Sequence, residues 1–270
     1  MQLKIGILGG GWLGSKLAQK GVENNHIIKV STTTPQKVAS LQNNGCTAHI
    51  LTVREDSIEG DFTFFSDVDV LMITIPPGLR KNPDRNYVGM IEQVIAKAVA
   101  FKIKKVMYTS STSVYGFQKN TITEESPTLP ETVSAKQIVA CENKLLSNLA
   151  FESCIIRLGG LIGPDRHPVF TLSGRQNIPN PNSPINFIHQ KDAVGAMLHL
   201  ALNWRGNEIF NAVAPYHPTR KEYYTQMAKL ANVTPPSFEE RGQIRGAISN
   251  SKLLKSANYN FFVENLLILS

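Results

Sequence analysis

The sequence predicts an α/β fold: a doubly wound parallel sheet with a small C-terminal lobe. Three observations carry that prediction. An apolar run, Lys4-Ile5-Gly6-Ile7-Leu8, breaks into Gly9-x-Gly11-x-x-Gly14 and continues in a helical pattern. Strand-like apolar runs and helix-spaced segments then alternate through the first two-thirds of the chain. One of those runs, residues 68–75, is almost continuously apolar, as suits a strand covered on both faces. Such alternation implies right-handed crossovers and helices on both sides of the sheet.

In chain order, residues 3–8 read as the first strand and 15–21 as the first helix. A second strand over 27–31 leads to a short helix over 36–43 and a third strand over 48–52. Residues 86–100 have helical spacing, with Val88, Ile91, Val94, Ile95 and Val99 on one face. A strand over 105–109, a helix over 133–149 and a strand over 153–158 follow. Residues 160–185 are rich in Pro, Gly and Asn and read mostly as loop. Residues 192–202 read as a helix with Asp192 at its N-cap, and 209–212 as a short strand. Thr219 and Glu222 form a capping-box pattern that opens a helix over 219–231. Residues 233–246 are polar, and the apolar tail from Phe261 is expected to dock.

A chain of 270 residues with 42% hydrophobic content can bury a large core. No apolar stretch approaches the length of a membrane span. Lys4 and the glycines interrupt what would be the apolar part of a signal peptide. Cys46, Cys141 and Cys154 are odd in number and lack metal-ligand spacing, so reduced thiols, a cytoplasmic location and no metal are expected. The net charge of +7 favours anionic small molecules. Its lysines are scattered, with no basic run and no interleaved aromatics, which argues against nucleic acid.

The glycine turn carries the chemistry. Gly9 permits a tight turn, Gly11 lets the backbone approach a pyrophosphate, and Gly14 lets helix pack on strand. The amides that open the helix would face the phosphates. Gly9, Gly11, Trp12, Leu13 and Gly14 are therefore candidate cofactor contacts, although Trp12 also suits plain packing. The second strand runs into Ser31-Thr32-Thr33-Thr34-Pro35-Gln36-Lys37, and no carboxylate occurs between Glu23 and Arg54. An NAD site would place a carboxylate on the ribose there. Thr32, Thr33 and Lys37 instead suit a 2′-phosphate, so NADP is preferred over NAD; the bland alternative is a helix cap beside a solvated lysine. Thr74, Ile75 and Pro76 end a central strand at the same crevice and are further cofactor candidates. Arg80 or Arg85, in the loop beyond, could hold an anionic substrate. A dinucleotide-binding domain is expected over 1–160. A small substrate lobe is expected mainly over 161–270, with some segments returning to the sheet.

A second constellation follows the strand over 105–109: Ser110-Ser111-Thr112-Ser113-Val114-Tyr115-Gly116. With the glycine turn it resembles the extended short-chain dehydrogenase/reductase family of nucleotide-sugar epimerases and dehydratases, whose members carry an SS-x-x-VYG-like signature. Arg157-Leu158-Gly159-Gly160-Leu161-Ile162-Gly163-Pro164 is similar to that family's R-x-x-x-x-YGP segment. Asn186-Phe187-Ile188-His189-Gln190-Lys191-Asp192 is similar to its x-FIHV-x-D segment. The four motifs fall in family order over most of the chain. The resemblance implies a Rossmann-like fold, an NAD(P) cofactor and a small sugar-like or anionic substrate. It places Ser110 beside the cofactor, Ser111 on the reacting oxygen, and Thr112, Arg157 and His189 near the substrate. Thr112 and Ser113 stand where the sugar dehydratases use an acidic pair, which argues against that dehydration.

The departure from the family is as informative. Its Tyr-x-x-x-Lys pair belongs in the helix over 133–149, and its downstream Glu aligns with Glu142. Counting back puts Ser134 and Ile138 at the Tyr and Lys positions, and no tyrosine lies between Tyr115 and Tyr216. A serine of ordinary pKa cannot replace a tuned phenol near neutral pH. Lys136 is the only nearby cation. The chain therefore resembles an atypical branch with a G-x-GWLG start and no Tyr-x-x-x-Lys. Two functions stay open: an epimerase-, dehydratase- or reductase-like enzyme using nicotinamide hydride transfer, and a non-catalytic NAD(P)-binding redox sensor or scaffold. The resemblance also leaves a homodimer open.

Overall fold

The computed structural model describes residues 1–268. Its elements are β1 (Lys4–Leu8), α1 (Trp12–Glu23), β2 (Ile27–Thr32), α2 (Val38–Asn43), β3 (Thr47–Val53), β4 (Ile58–Gly60), β5 (Val70–Ile73), α3 (Tyr87–Ala100), β6 (Lys105–Ser111), α4 (Val133–Leu146), β7 (Glu152–Leu158), β8 (Gly160–Ile162), α5 (Val169–Leu172), β9 (Phe187–His189), α6 (Gln190–Asn203), β10 (Glu208–Ala212) and α7 (Arg220–Leu230). Eight strands form one sheet in the order β10-β7-β6-β5-β1-β2-β3-β4. The pairs β1–β2, β1–β5, β2–β3 and β5–β6 are parallel. β5 is buried along its whole length, as its apolar run requires. The chain moves outward from β1 to β2 and β3, then resumes on the other side with β5 and β6. That reversal opens a crevice beyond the carboxyl ends of β1 and β5, where ligands of such sheets bind.

Several elements differ from the sequence reading for local reasons. α1 begins at Trp12, three residues before the expected start at 15, because Gly11 serves as its N-cap. The apolar face of α3 is Tyr87, Met90, Ile91, Val94 and Ala98. Val99, expected on that face, is 42% exposed. β4 was not foreseen. It is a three-residue antiparallel hairpin partner of β3 with only Ile58 buried, too short to show an alternation. The segment 160–185 holds β8 and α5, and β8 pairs in parallel with β9 at Gly160↔Phe187.

Two compact units divide the chain, and each is assembled from separated stretches. The first comprises residues 1–114, 130–157 and 197–209. The second comprises residues 115–129, 158–196 and the chain from 210 onward. One cut near residue 160 does not separate them, because the stretches 115–129 and 197–209 each lie on the far side of it.

Within the second unit, α7 has the anticipated capping box. The Thr219 hydroxyl accepts from the Glu222 amide (3.2 Å), and the Glu222 carboxylate accepts from the Thr219 amide (3.4 Å). The tail docks: Leu266 is fully buried in a cluster with Tyr223, Tyr224 and Met227 of α7. Asp192 is not an N-cap. It lies in the first turn of α6, fully buried, and its carboxylate collects the tail. Oδ1 accepts from the Phe262 amide (2.7 Å) and the Tyr259 hydroxyl (3.0 Å), and Oδ2 accepts from the Val263 amide (3.0 Å). Replacing Asp192 by Ala strands these donors, so D192A is expected to lower stability by about 2–4 kcal/mol in urea unfolding. Proteolysis after residue 259 should increase in step, with D192N milder.

Candidate functional site

The turn between β1 and α1 is built by steric exclusion. Gly9 has φ +115°, and a Cβ there would meet Ile75 Cγ2 at 2.9 Å and Thr74 Oγ1 at 3.0 Å. A Cβ on Gly14 would meet the Gly9 carbonyl oxygen at 2.0 Å. A Cβ on Gly11 would meet nothing within 4 Å, so this backbone faces open space. The Gly9 amide donates to Ser31 Oγ (2.9 Å) and the Gly10 amide to the Ser31 carbonyl (2.6 Å), which ties the turn to the end of β2. Gly11 caps α1 without a side-chain hydrogen bond, so no side chain screens the helix N-terminus at that position.

A cavity of about 380 Å³ opens on this turn. Of the residues expected at a cofactor, Gly9, Gly11, Thr32, Thr33, Lys37, Ile75 and Pro76 line it. Trp12, Leu13, Gly14, Thr74 and Ser110 do not. Gly14 and Leu13 are buried in the contact between α1 and the sheet. The Thr74 hydroxyl sits 3.0 Å from the Leu8 carbonyl and 2.9 Å from the Gly9 carbonyl, so it braces the turn from behind. The sequence reading did not include Ser31, Thr34, Thr52, Val53 and Met90, which also line the cavity; only the turn contacts and strand ends bring them there. Among the described residues, the cavity wall holds two cations, Lys37 and Arg85, and no carboxylate.

The positions inherited from the family resemblance fare differently. Ser110 and Arg157, expected at cofactor and substrate, are both buried against Glu142. The Ser110 hydroxyl donates to Glu142 Oε1, Arg157 Nε donates to the same oxygen (3.0 Å), and Nη2 donates to Oε2 (2.7 Å). A charge pair this deep survives only when both partners are matched and hydrogen-bonded. Its place at the junction of β6, α4 and β7 makes it architectural. Ser111 is half-buried at the end of β6, and its Oγ accepts from the Ser113 amide (3.1 Å) in a tight local turn. Thr112 is buried in the turn that follows. Arg80 is exposed and lies outside the cavity wall. In the second unit, His189 Nδ1 accepts from the Lys191 amide (3.2 Å). Burial, aided by Lys191 and opposed by Asp192, holds its pKa below the ordinary histidine value, so the ring is neutral at pH 7.

At the two helix positions where the resemblance led us to expect Tyr and Lys, Ser134 is half-buried and Ile138 is core. The tyrosines of the first unit, Tyr87 and Tyr108, are fully buried, and burial raises both phenol pKa values. Burial thus favours the protonated phenol at both positions. Tyr87 donates to the Ile75 carbonyl (2.8 Å) and so steadies the cavity wall. No group of three His, Cys, Asp or Glu that could hold a metal ion occurs among the described residues. Likewise, no helix among them is long and apolar enough to cross a membrane.

Three outcomes follow. Gly11→Ala is expected to fold within about 1 kcal/mol of the parent, since its Cβ meets nothing, while weakening any ligand that lies on the turn. Gly14→Ala should instead lower the thermal midpoint, because helix and strand must separate. Removing one partner of the buried pair, as in Arg157→Met, should cost about 3–5 kcal/mol in urea unfolding, and Glu142→Leu in the same chain should recover much of it.

No family model matches the chain. Protein YeeZ of Escherichia coli K12 is 30% identical over 273 residues, an alignment spanning 98% of each chain. Among solved structures, UDP-glucose 4-epimerase of Thermotoga maritima superposes with a TM-score of 0.79 at 15% identity, covering 98% of this chain and 97% of that one. MoeE5, solved with UDP-glucose and NAD, gives a TM-score of 0.78 at 15% identity, covering 98% and 95%. At such low identity these two establish the fold. The turn, the strand order and the full-length relative converge: this chain belongs to the family of Escherichia coli protein YeeZ and is built on the fold of UDP-glucose 4-epimerase.

Proposed function

We propose that the chain binds NADP on the Gly9–Gly14 turn and works on a small sugar-like or anionic substrate. One observation carries the reading: an open glycine backbone at Gly11 borders a cavity whose charged lining groups, among the described residues, are all cations. The open backbone at Gly11 would let the pyrophosphate approach, and the amides opening α1 would take it. Thr32, Thr33 and Lys37 would take the adenosine ribose and its 2′-phosphate, with Ile75 and Pro76 as the apolar wall. A bound nicotinamide supplies hydride chemistry. Ser111, at the carboxyl end of β6, would hydrogen-bond the reacting oxygen. MoeE5 holds a nucleotide sugar together with NAD, which supports this class of ligands; the choice of NADP rests on the cations and the missing carboxylate. The odd cysteine count supports a cytoplasmic setting.

The second reading is a non-catalytic NAD(P)-binding sensor or scaffold. Ser134 and Ile138 at the acid–base positions, and the burial of both nearby tyrosines, favour it. Fluorescence titration should show NADPH bound at least tenfold more tightly than NADH, about 1.4 kcal/mol. Hydride exchange from NADPH to a panel of carbonyl compounds then separates the readings. For an enzyme, Ser111→Ala lowers turnover by about 10²-fold with cofactor affinity unchanged. Tight cofactor binding without turnover on any compound sides with the sensor.

A further inference from the structure

The cofactor cavity shares a wall with a second, more open one of about 640 Å³. Thr52, Val53, Arg85 and Met90 line both. The two differ sharply in charge. The second contains Glu55 and Asp56; the first contains no carboxylate. Arg54, also in the second, is already paired with Glu59 through Nε (2.7 Å) and Nη2 (3.0 Å). Arg85 is thus the cation at the boundary, and it forms no salt bridge among the described residues.

Its position is fixed from several sides. Gln137 of α4 donates to the Arg85 carbonyl (3.0 Å) and accepts from the Tyr87 amide (2.7 Å). The intervening Asn86 amide donates to Glu55 Oε1 (2.9 Å), which engages that carboxylate with backbone. The guanidinium lies over Gly78, where a Cβ would come within 2.7 Å of Nη1 and where φ is +70°. Glycine at 78 therefore leaves the space that Arg85 fills.

The geometry points to Arg85 as the specificity-determining residue of the nucleotide site, the group that recognises a phosphate monoester on the adenosine ribose jointly with Lys37. This rests on the NADP reading and deepens it. The pyrophosphate would already have backbone donors in the first amides of α1. A planar guanidinium can grip a terminal phosphate through two parallel hydrogen bonds, which a lysine cannot. The carboxylates beyond the boundary repel such a group and keep it on the Lys37 side.

The test is a set of NADPH and NADH titrations on the parent, Arg85→Ala and Arg85→Lys. Competition by adenosine 2′,5′-bisphosphate against 5′-AMP provides a cofactor-fragment readout, and thermal melting reports the fold. The expected result is a loss of NADPH and bisphosphate affinity of at least tenfold in R85A, a smaller loss in R85K, and NADH affinity within twofold of the parent. Equal losses for NADPH and NADH would assign Arg85 to the shared pyrophosphate and overturn its role in specificity, while parental preference for NADPH kept the cofactor reading intact. Unchanged affinities in R85A would overturn it in the same way. A parent that prefers NADH, or binds neither, would instead overturn the cofactor reading, and this inference with it.

Discussion

The close approach of α1 to the end of β1 is the constraint on which the cavity at the glycine turn depends. Helix and strand meet across two glycines so tightly that the Gly9 carbonyl occupies the space of a side chain at 14. The contact fixes the direction of α1, and with it the direction of the first helical amides. The Thr74 hydroxyl, bracing the same carbonyls from β5's end, couples the turn to the neighbouring strand. Ser31 does the same from β2. Three parallel strands therefore converge on one short turn, and the cavity is the space left in front of it. The open face at Gly11 is a part of the turn that the described residues leave unfilled.

Behind the site, buried polar groups serve the architecture. Glu142, Arg157 and Ser110 satisfy one another in the interior, and the tyrosines of the first unit are sealed and un-ionised. Burying a carboxylate costs several kcal/mol unless its lone pairs are met, and here a guanidinium and a hydroxyl meet them. That arrangement ties β6 and β7 to α4, the helix whose Gln137 in turn sets the backbone at Arg85. Rigidity in this part of the molecule is thus achieved with polar groups.

Much of this was legible in the sequence, and the misses have physical causes. The glycine turn, the buried run at β5 and the capping box at Thr219 are local patterns with local explanations, and each appears where expected. The glycine positions were readable because φ and close packing are dictated by neighbours in the chain. Side-chain direction was not. Thr74 sits at the crevice but points into the turn, and Arg157 ends a strand of the sheet but points at Glu142. Both outcomes depend on partners distant in sequence. Asp192 looked like a helix cap because nothing local shows that the tail, some 70 residues on, returns to its carboxylate. Arg85 was one of three cations in a polar loop, and only Gly78 and Gln137 reveal that it is held at the cavity.

The interleaving of the two units bears on how the molecule is made. The first unit begins at Met1 yet takes its last stretch from residues 197–209, while the second already claims residues 115–129. A single break anywhere in the chain therefore severs at least one unit, and neither can be isolated by trimming an end. During synthesis the glycine turn emerges well before residues 197–209, so the unit that contains it stays incomplete until that late stretch has left the ribosome. Its closing contacts are long-range in sequence, which slows folding and leaves apolar strand surface exposed meanwhile. The unit that holds the glycine turn is in this sense completed by residues 197–209.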